Sequence, residues 1–479
     1  MPDIIFIRIY HSLDEEFGYL SKFGYIEITN GLCWLAGVVR QNGYKAEIID
    51  ALALRLSNDD VIALIKEKNP KYVGITSCSL DILGASDLAQ KLKRIRPDIV
   101  TILGGPHVTA VPVETMEQFP DIDIGVIGEG ESTIIDLLNS LGKSGMTGLS
   151  GIEGITYRDV GKVVVTQRRN SIMELDTLPL PAWDLLPDIK KYYFAPPWTM
   201  HSGRTATIIT SRGCPFQCIY CDRKVFGNRM RFHSAHYVLN MMRTMHFKYD
   251  ISHFRIADDN FIRDKGRLKE ICNSILEEKL PITWSCLARV DSIDPESLRL
   301  MKKAGCWSIA FGVETGSQKI HDFEKKKVTL EKIAEAVKMT RKARIKTISF
   351  NIIGHPLETI ETIKETIKFN KKIKVDDFKT QFMIPFPGTE LYQIAEKYGT
   401  FDRDWKKMSV FKEPIFVPHG LTKEELIKWN KKAFWSFYMQ PRIIFNYFTQ
   451  IRSMQELKVI MIGGITLIGW KIKELFHKT

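Results

Sequence analysis

Short apolar runs alternate with amphipathic stretches along most of this chain, and that alternation predicts its fold class. Residues 4–9 form a β-rich run. Residues 31–42 carry apolar positions at helical spacing, and Gly43 follows where a helix would stop. Further strands are predicted at 46–49, 72–76, 100–103 and 123–127, with helices at 59–68, 85–95 and 132–141. Strands alternating with helices imply an α/β unit with a doubly wound parallel sheet. Such sheets bind ligands beyond the carboxyl ends of their strands. The polar or glycine-rich segments at those ends are residues 76–79, Gly104-Gly105-Pro106-His107 and Gly128-Glu129-Gly130-Glu131.

Residues 143–200 read as a proline-rich connector with one hairpin across Asp159–Gly161. Alternation then resumes, with strands predicted at 206–209, 253–256, 283–287, 308–311, 346–352 and 377–383. Six strand–helix units suit a partial α/β barrel, whose chemistry sits at strand ends. The organisation expected is therefore 1–142, 143–200, 201–400 and a helical extension, 401–479. Residues 423–440 are aromatic and basic, and 459–470 are apolar between Lys458 and Lys471. Twelve apolar residues are too few for a spanning helix, which needs about 20. Aromatic anchors flanked by lysines suit either a membrane surface or a helix capping the barrel.

At 44% hydrophobic and 26% charged residues, the composition excludes wholesale disorder. The net charge of +12 favours acidic partners without choosing among nucleic acid, phosphorylated substrates and anionic lipid. Three of the eight cysteines fall within eight residues, and the start of the chain lacks a secretory pattern. Both fit a reducing cytoplasm and one metal site better than a disulfide scaffold.

The segment Ser211-Arg212-Gly213-Cys214-Pro215-Phe216-Gln217-Cys218-Ile219-Tyr220-Cys221 directly follows a predicted strand. Iron–sulfur cubanes are usually held by four thiolates. Three thiolates from one loop leave one iron open to a ligand, as catalytic zinc sites keep a position open. Three unpaired structural cysteines, or a zinc site completed by His233 or His236, are the bland alternatives.

The spacing resembles the radical S-adenosylmethionine (SAM) superfamily. The resemblance implies a [4Fe–4S] cluster on Cys214, Cys218 and Cys221, with SAM on the open iron. Tyr220 matches the aromatic that packs near the adenine. Asp258 follows the next strand, where relatives carry an acidic residue near SAM. Trp284, Cys286 and Arg289 match a W-x-C-x-x-R segment. Glu314, in Phe311-Gly312-Val313-Glu314-Thr315-Gly316, matches the strand-end glutamate that reaches SAM. Gly354, in Gly354-His355-Pro356-Leu357-Glu358-Thr359, matches a G-x-P-x-E-T segment near the adenine, with Leu357 where glycine is commoner. Pro385-Phe386-Pro387-Gly388-Thr389-Glu390-Leu391 closes the domain in the familiar way.

Residues 1–140 resemble the Rossmann-like B12-binding domain fused to many radical SAM enzymes. The matching positions imply that Thr76, Ser77, Gly104, Gly105, His107, Gly128 and Glu129 line a cobalamin site. Glycine at a strand end lets backbone approach a large planar ligand. The Asp-x-His-x-x-Gly segment of B12 mutases is absent, and His11 stands alone after the first strand. A retained fold without cofactor stays open beside cobalamin binding.

The resemblance implies methylation of an unactivated carbon or C–C bond formation, with cofactors carrying the hard chemistry. Oxidative ring formation, as in the anaerobic cyclase of chlorophyll synthesis, is the second reading. A tRNA methylthiotransferase would need three more cysteines near the N-terminus, where only Cys33 and Cys78 occur. No nucleic-acid partner is expected. A non-catalytic B12 protein would be expected to lack a cluster cysteine or the glutamate. The partners expected are a small-molecule substrate, amphiphilic if the tail meets lipid, and an external one-electron donor.

Overall fold

A computed structural model of the chain describes residues 1–18, 21, 24–194 and 203–450. The first sheet is built from Ile4–Arg8 (β1), Ala46–Asp50 (β2), Tyr72–Thr76 (β3), Val100–Gly104 (β4) and Ile124–Val126 (β5), all parallel, in the order β2-β1-β3-β4-β5. β1 is almost wholly apolar because both its faces are covered by helices, the usual state of a parallel strand. The strand order reverses between β1 and β3, which opens a crevice at their carboxyl ends.

Two more strands, Ile155–Asp159 (β6) and Lys162–Val165 (β7), continue this sheet antiparallel beyond β5. Val160 and Gly161 both take positive φ, 45° and 79°, as a tight two-residue hairpin requires. The hairpin expected inside a connector is thus part of the first sheet.

The second sheet holds Thr205–Ile208 (β8). After it come Ser211–Arg212 (β9) and Arg231–Phe232 (β10), which pair antiparallel and bracket the cysteine loop. His253–Ile256 (β11), Thr283–Ala288 (β12), Cys306–Glu314 (β13), Lys346–Ile353 (β14) and Asp377–Phe382 (β15) complete it. The order is β15-β14-β13-β12-β11-β8, parallel throughout. This is the six-stranded partial barrel expected from the alternation.

The two sheets share a core. One apolar cluster runs from Trp34 and Leu137 through Trp183 to Ile256 and Trp284. Helix Asn30–Gln41 of the first domain lies on the barrel, where Asn30 Nδ2 donates to Thr207 O at 2.9 Å. His233 is sandwiched between Trp34 and Tyr237, with centroids at 5.8 and 4.0 Å.

Helix Lys423–Tyr438 covers the β15 end of the barrel. Phe437 stacks on Phe378 at 5.0 Å, and Tyr438 donates to Asp377 and to Phe378 O. For this helix the capping role describes the aromatics. Among the described residues no helix is long and apolar enough to cross a membrane. The apolar run 459–470 lies outside the described residues.

Candidate active site

Gly213 starts the cysteine loop with φ 86°, and a Cβ there would stand 2.3 Å from Arg229 O, so only glycine fits. Asp258, fully buried, anchors the approach to the loop. Its carboxylate accepts from Thr210 N (2.5 Å), Thr210 Oγ1 (2.6 Å) and Ser211 Oγ (2.7 Å). Burial raises its pKa against these bonds. Asp258 was expected to meet SAM, but its side chain instead holds the strand before the loop. Asp259, its exposed neighbour, is the carboxylate that raises Cys214 after burial does.

The loop is clamped again at Ile219, between the second and third cysteines. Ile219 N donates to Glu324 O at 3.2 Å, and Leu391 N donates to Ile219 O at 2.9 Å. The Pro385–Leu391 segment therefore closes the domain by gripping the loop.

Cys218 is buried, Cys214 half-buried, and Cys221 reaches the surface. A hydrogen bond from Cys221, then the cations of Lys326 and Arg289, pull the Cys218 thiol down to about 6 against burial. Nearby cations favour thiolates, the form that binds iron. The three thiols on one clamped loop, facing two cations, fit a cubane cluster. Among the described residues no three His, Cys, Asp or Glu converge to hold a single metal ion. Cubane thiolates each bind a different iron, so they converge on a cluster and not on one ion. Zinc is disfavoured further because His233 Nδ1 pairs with Asp176 at 3.1 Å and His236 lies beside Glu278.

Glu314 ends β13 with φ 59°, where the pairing with β14 shifts register. Its Oε1 lies 2.5 Å from Lys326 Nζ, and Nζ lies 3.3 Å from the Tyr220 hydroxyl. Lys326 is buried between Lys325 and Lys327, which both take positive φ (57° and 53°). That unusual backbone turns the middle lysine inward. Arg289 places its guanidinium 3.5 Å from the Phe216 ring centroid, between Cys214 and Cys218 in sequence. It also pairs with Asp291 and donates to Lys326 O at 3.0 Å. Tyr220, Arg289 and Glu314 thus lie together beside the cysteines. Lys326 and Phe216 were not singled out by the sequence.

Gly354 takes φ 96° after β14, and its N–H is held by Glu358. Next to it, fully buried His355 lies 2.5 Å from Glu324. The G-x-P-x-E-T segment is therefore braced from within and linked through Glu324 to the cysteine loop.

In the first domain, Thr76, Ser77, Gly104 and Gly105 lie together at the carboxyl ends of β3 and β4. Ser77 N donates to Gly104 O at 3.0 Å. A Cβ on Gly105 (φ 104°) would stand 2.5 Å from Ser77 O, whereas one on Gly104 would meet nothing within 4 Å. That open strand end fits the approach of a broad planar group. Gly128 (φ 85°) is held by Thr109 Oγ1 at 3.0 Å.

Two expected cobalamin contacts are corrected. His107 is buried, with Nδ1 3.0 Å from Ser79 Oγ and its ring edge-on to Trp405 at 4.9 Å. Burial holds it down to about 4, and it packs rather than reaching a ligand. Glu129 is buried, and its carboxylate is taken by Arg212, Arg231 and Ile172 N.

The two strand-end regions meet. A Cβ on Gly388 would stand 2.9 Å from Asp222 Oδ1, beside Cys221, and 3.0 Å from Ala110 Cβ of the first domain. Lys224 Nζ reaches Ala110 O at 3.5 Å.

A parallel-sheet domain whose ligand end abuts a three-cysteine loop on a partial barrel defines a class. Residues 208–369 match the radical SAM superfamily and residues 18–138 match the B12 binding domain. The chain belongs to the radical SAM enzymes that carry an N-terminal B12-binding domain, whose cofactors are a [4Fe–4S] cluster, SAM and cobalamin. It is 35% identical to an uncharacterized methyltransferase of Pyrococcus horikoshii over 416 residues, 86% of this chain and 88% of that one. It is 29% identical to the anaerobic magnesium-protoporphyrin IX monomethyl ester cyclase of Rubrivivax gelatinosus, over 89% of this chain and 76% of that one. Its fold resembles the radical SAM methyltransferase TsrM of Kitasatospora setae, with a TM-score of 0.67 at 17% identity, covering 83% and 78% of the two chains.

Proposed function

We propose that this enzyme methylates an unactivated carbon of an apolar or amphiphilic small molecule such as a lipid, isoprenoid or tetrapyrrole. The observation that carries this reading is the junction at Asp222, Gly388 and Ala110, where the cysteine loop abuts the first sheet's ligand end. When bound, the cluster with SAM supplies hydrogen-atom abstraction and cobalamin supplies the methyl group.

This chain's own residues bind, orient and shield. Cys214, Cys218 and Cys221 would hold the cluster, and Gly104 would admit the corrin. Glu314 and Lys326 present opposite charges side by side, a match for the ammonium and carboxylate of SAM. Arg289 on Phe216 keeps a fixed positive charge beside the thiols. Fixed charges in a site closed to water act more strongly than solvated ones.

The amphiphilic substrate class is supported by exposed Met439 and Phe445 near the end of the described chain, ahead of the apolar, lysine-flanked run 459–470. A peripheral membrane contact there would collect such a substrate.

Oxidative ring formation is the second reading, favoured by the long match to the magnesium-protoporphyrin cyclase. One experiment separates the two. Protein reconstituted anaerobically with iron, sulfide and cobalamin is given SAM labelled in its methyl group, a reductant and candidate acceptors. Label in product with 5′-deoxyadenosine release supports methylation, and Cys218→Ala should abolish both. Unlabelled, oxidised product supports ring formation. No 5′-deoxyadenosine from an intact cluster with any acceptor counts against both.

A further inference from the structure

Four charges are buried where the two domains meet. The side chains of Arg212 and Arg231 are 3% and 2% exposed, those of Glu129 and Glu131 5% and 7%. Arg212 belongs to β9 and Arg231 to β10, the two strands that bracket the cysteine loop. Both glutamates follow β5 of the first domain. Arg212 donates to Glu129 at 2.9 Å and to Glu131 at 2.6 Å. Arg231 donates to both oxygens of Glu129, at 2.9 and 2.8 Å. Glu129 also accepts from Ile172 N at 2.8 Å, and Arg231 also donates to Phe226 O at 2.8 Å. Trp34 and Phe226 close over the Arg212 guanidinium at 5.2 and 5.3 Å.

Stability alone does not account for this arrangement. Desolvating each ion costs several kcal/mol, and apolar side chains of equal volume often hold an interface as well or better. Charge-assisted guanidinium–carboxylate bonds are short and directional. Here they grip the loop on both sides. Arg212 stands two residues before Cys214, and Arg231 holds the carbonyl of Phe226, five residues after Cys221. Both grips end on Glu129, whose neighbour Gly128 lies at the first domain's ligand end.

We propose that Glu129 is a positioning residue that sets the cysteine loop against the first sheet's ligand end and so fixes the separation of cluster and corrin. This rests on the cobalamin reading above. The Glu129 carboxylate is fully engaged by Arg212, Arg231 and Ile172 N.

The test uses full-length protein loaded with cluster and cobalamin. The reduced cluster speeds the spin relaxation of cob(II)alamin with a steep dependence on distance, so electron paramagnetic resonance reads the separation directly. Glu129→Gln keeps the size of the side chain but leaves two guanidiniums facing one carboxylate. With iron and corrinoid contents unchanged, the relaxation enhancement should change by about twofold or more, because a site whose support is lost loosens by about 1 Å. Arg231→Lys keeps the charge but loses the second nitrogen, which holds Phe226 O, and should act in the same direction if Glu129→Gln does not fold. Glu47→Gln, on the first domain's surface, should leave the signal alone. Unchanged relaxation in both network variants at full loading overturns the proposal. Wild-type protein that takes up the cluster but no corrinoid overturns the cobalamin reading, and this proposal with it.

Discussion

Lys326 Nζ and Glu314 Oε1 are 2.5 Å apart, in space that Gly312 leaves free: a Cβ on Gly312 would stand 2.8 Å from one and 2.3 Å from the other. The glycine of Phe311-Gly312-Val313-Glu314 thus accommodates a buried ion pair beside the cysteines. Removing one partner of such a pair leaves a charge without compensation. Lys326→Met should lower the unfolding free energy by about 3 kcal/mol and abolish measurable SAM binding. The double variant Lys326→Met, Glu314→Gln should regain most of the stability but none of the SAM affinity. Denaturant unfolding and SAM titration calorimetry on the reconstituted protein check both halves.

Gly104 and Gly105 are adjacent, yet they predict opposite outcomes. Gly105 (φ 104°, ψ −174°) occupies backbone space that is essentially closed to other residues, and its Cβ would collide with Ser77 O. Gly105→Ala should therefore cost about 2–3 kcal/mol of stability. Gly104→Leu points a side chain into open space and should leave stability within about 0.5 kcal/mol, while blocking corrin uptake. Thermal melts and the corrinoid absorption bands of the purified protein separate the two.

The parts of this fold legible in the sequence are those that periodicity encodes. Among the described residues all eleven parallel strands fall where apolar runs predict them. The cysteine loop was legible because its three ligands are close in sequence. Lys326 was not: Glu324-Lys325-Lys326-Lys327 reads as a solvated charge run, and only the two left-handed lysines turn its middle residue inward. Glu129 and Asp258 stand out in the sequence, but the arginines that pair with Glu129 are 83 and 102 residues away and the partners of Asp258 about 50, distances no local pattern spans. β7 escaped notice as part of the sheet because its side chains are exposed or half-buried, the mark of an edge strand.

Four buried histidines contribute to the pH dependence of stability. Burial holds His107, His233 and His321 down to about 4. In the unfolded chain they take a proton near pH ~6.5. Between those values these sites bind more protons in the unfolded state, so their own contribution lowers stability as pH drops from about 6.5 to about 4. His355 runs the other way. Burial works against its charge, but Glu324 and Glu358 outweigh burial and hold it up to about 9. Its contribution is complete below pH ~6.5 and is lost as pH rises through about 9. His355→Gln should flatten the fall in melting temperature between pH 7 and 10, and His107→Gln should weaken the acid fall. An unchanged alkaline fall in His355→Gln would contradict the assignment.

Phe437 and Phe445 lie eight residues apart and divide the two roles open to the aromatic C-terminal segment. Phe437 is 1% exposed and stacks on Phe378 of β15, whereas Phe445 is 68% exposed. Burying a phenylalanine in a packed core makes its truncation costly, by about 3–5 kcal/mol. Phe437→Ala should therefore lower stability by that amount and leave partition onto anionic vesicles unchanged. Phe445→Ser removes an apolar group already in water and should leave the melting temperature alone. If the exposed helix end is where the protein meets lipid, Phe445→Ser should reduce vesicle binding severalfold in co-sedimentation. A Phe445→Ser variant that still co-sediments like wild type would remove that residue from any membrane contact and leave the capping role of Phe437 intact.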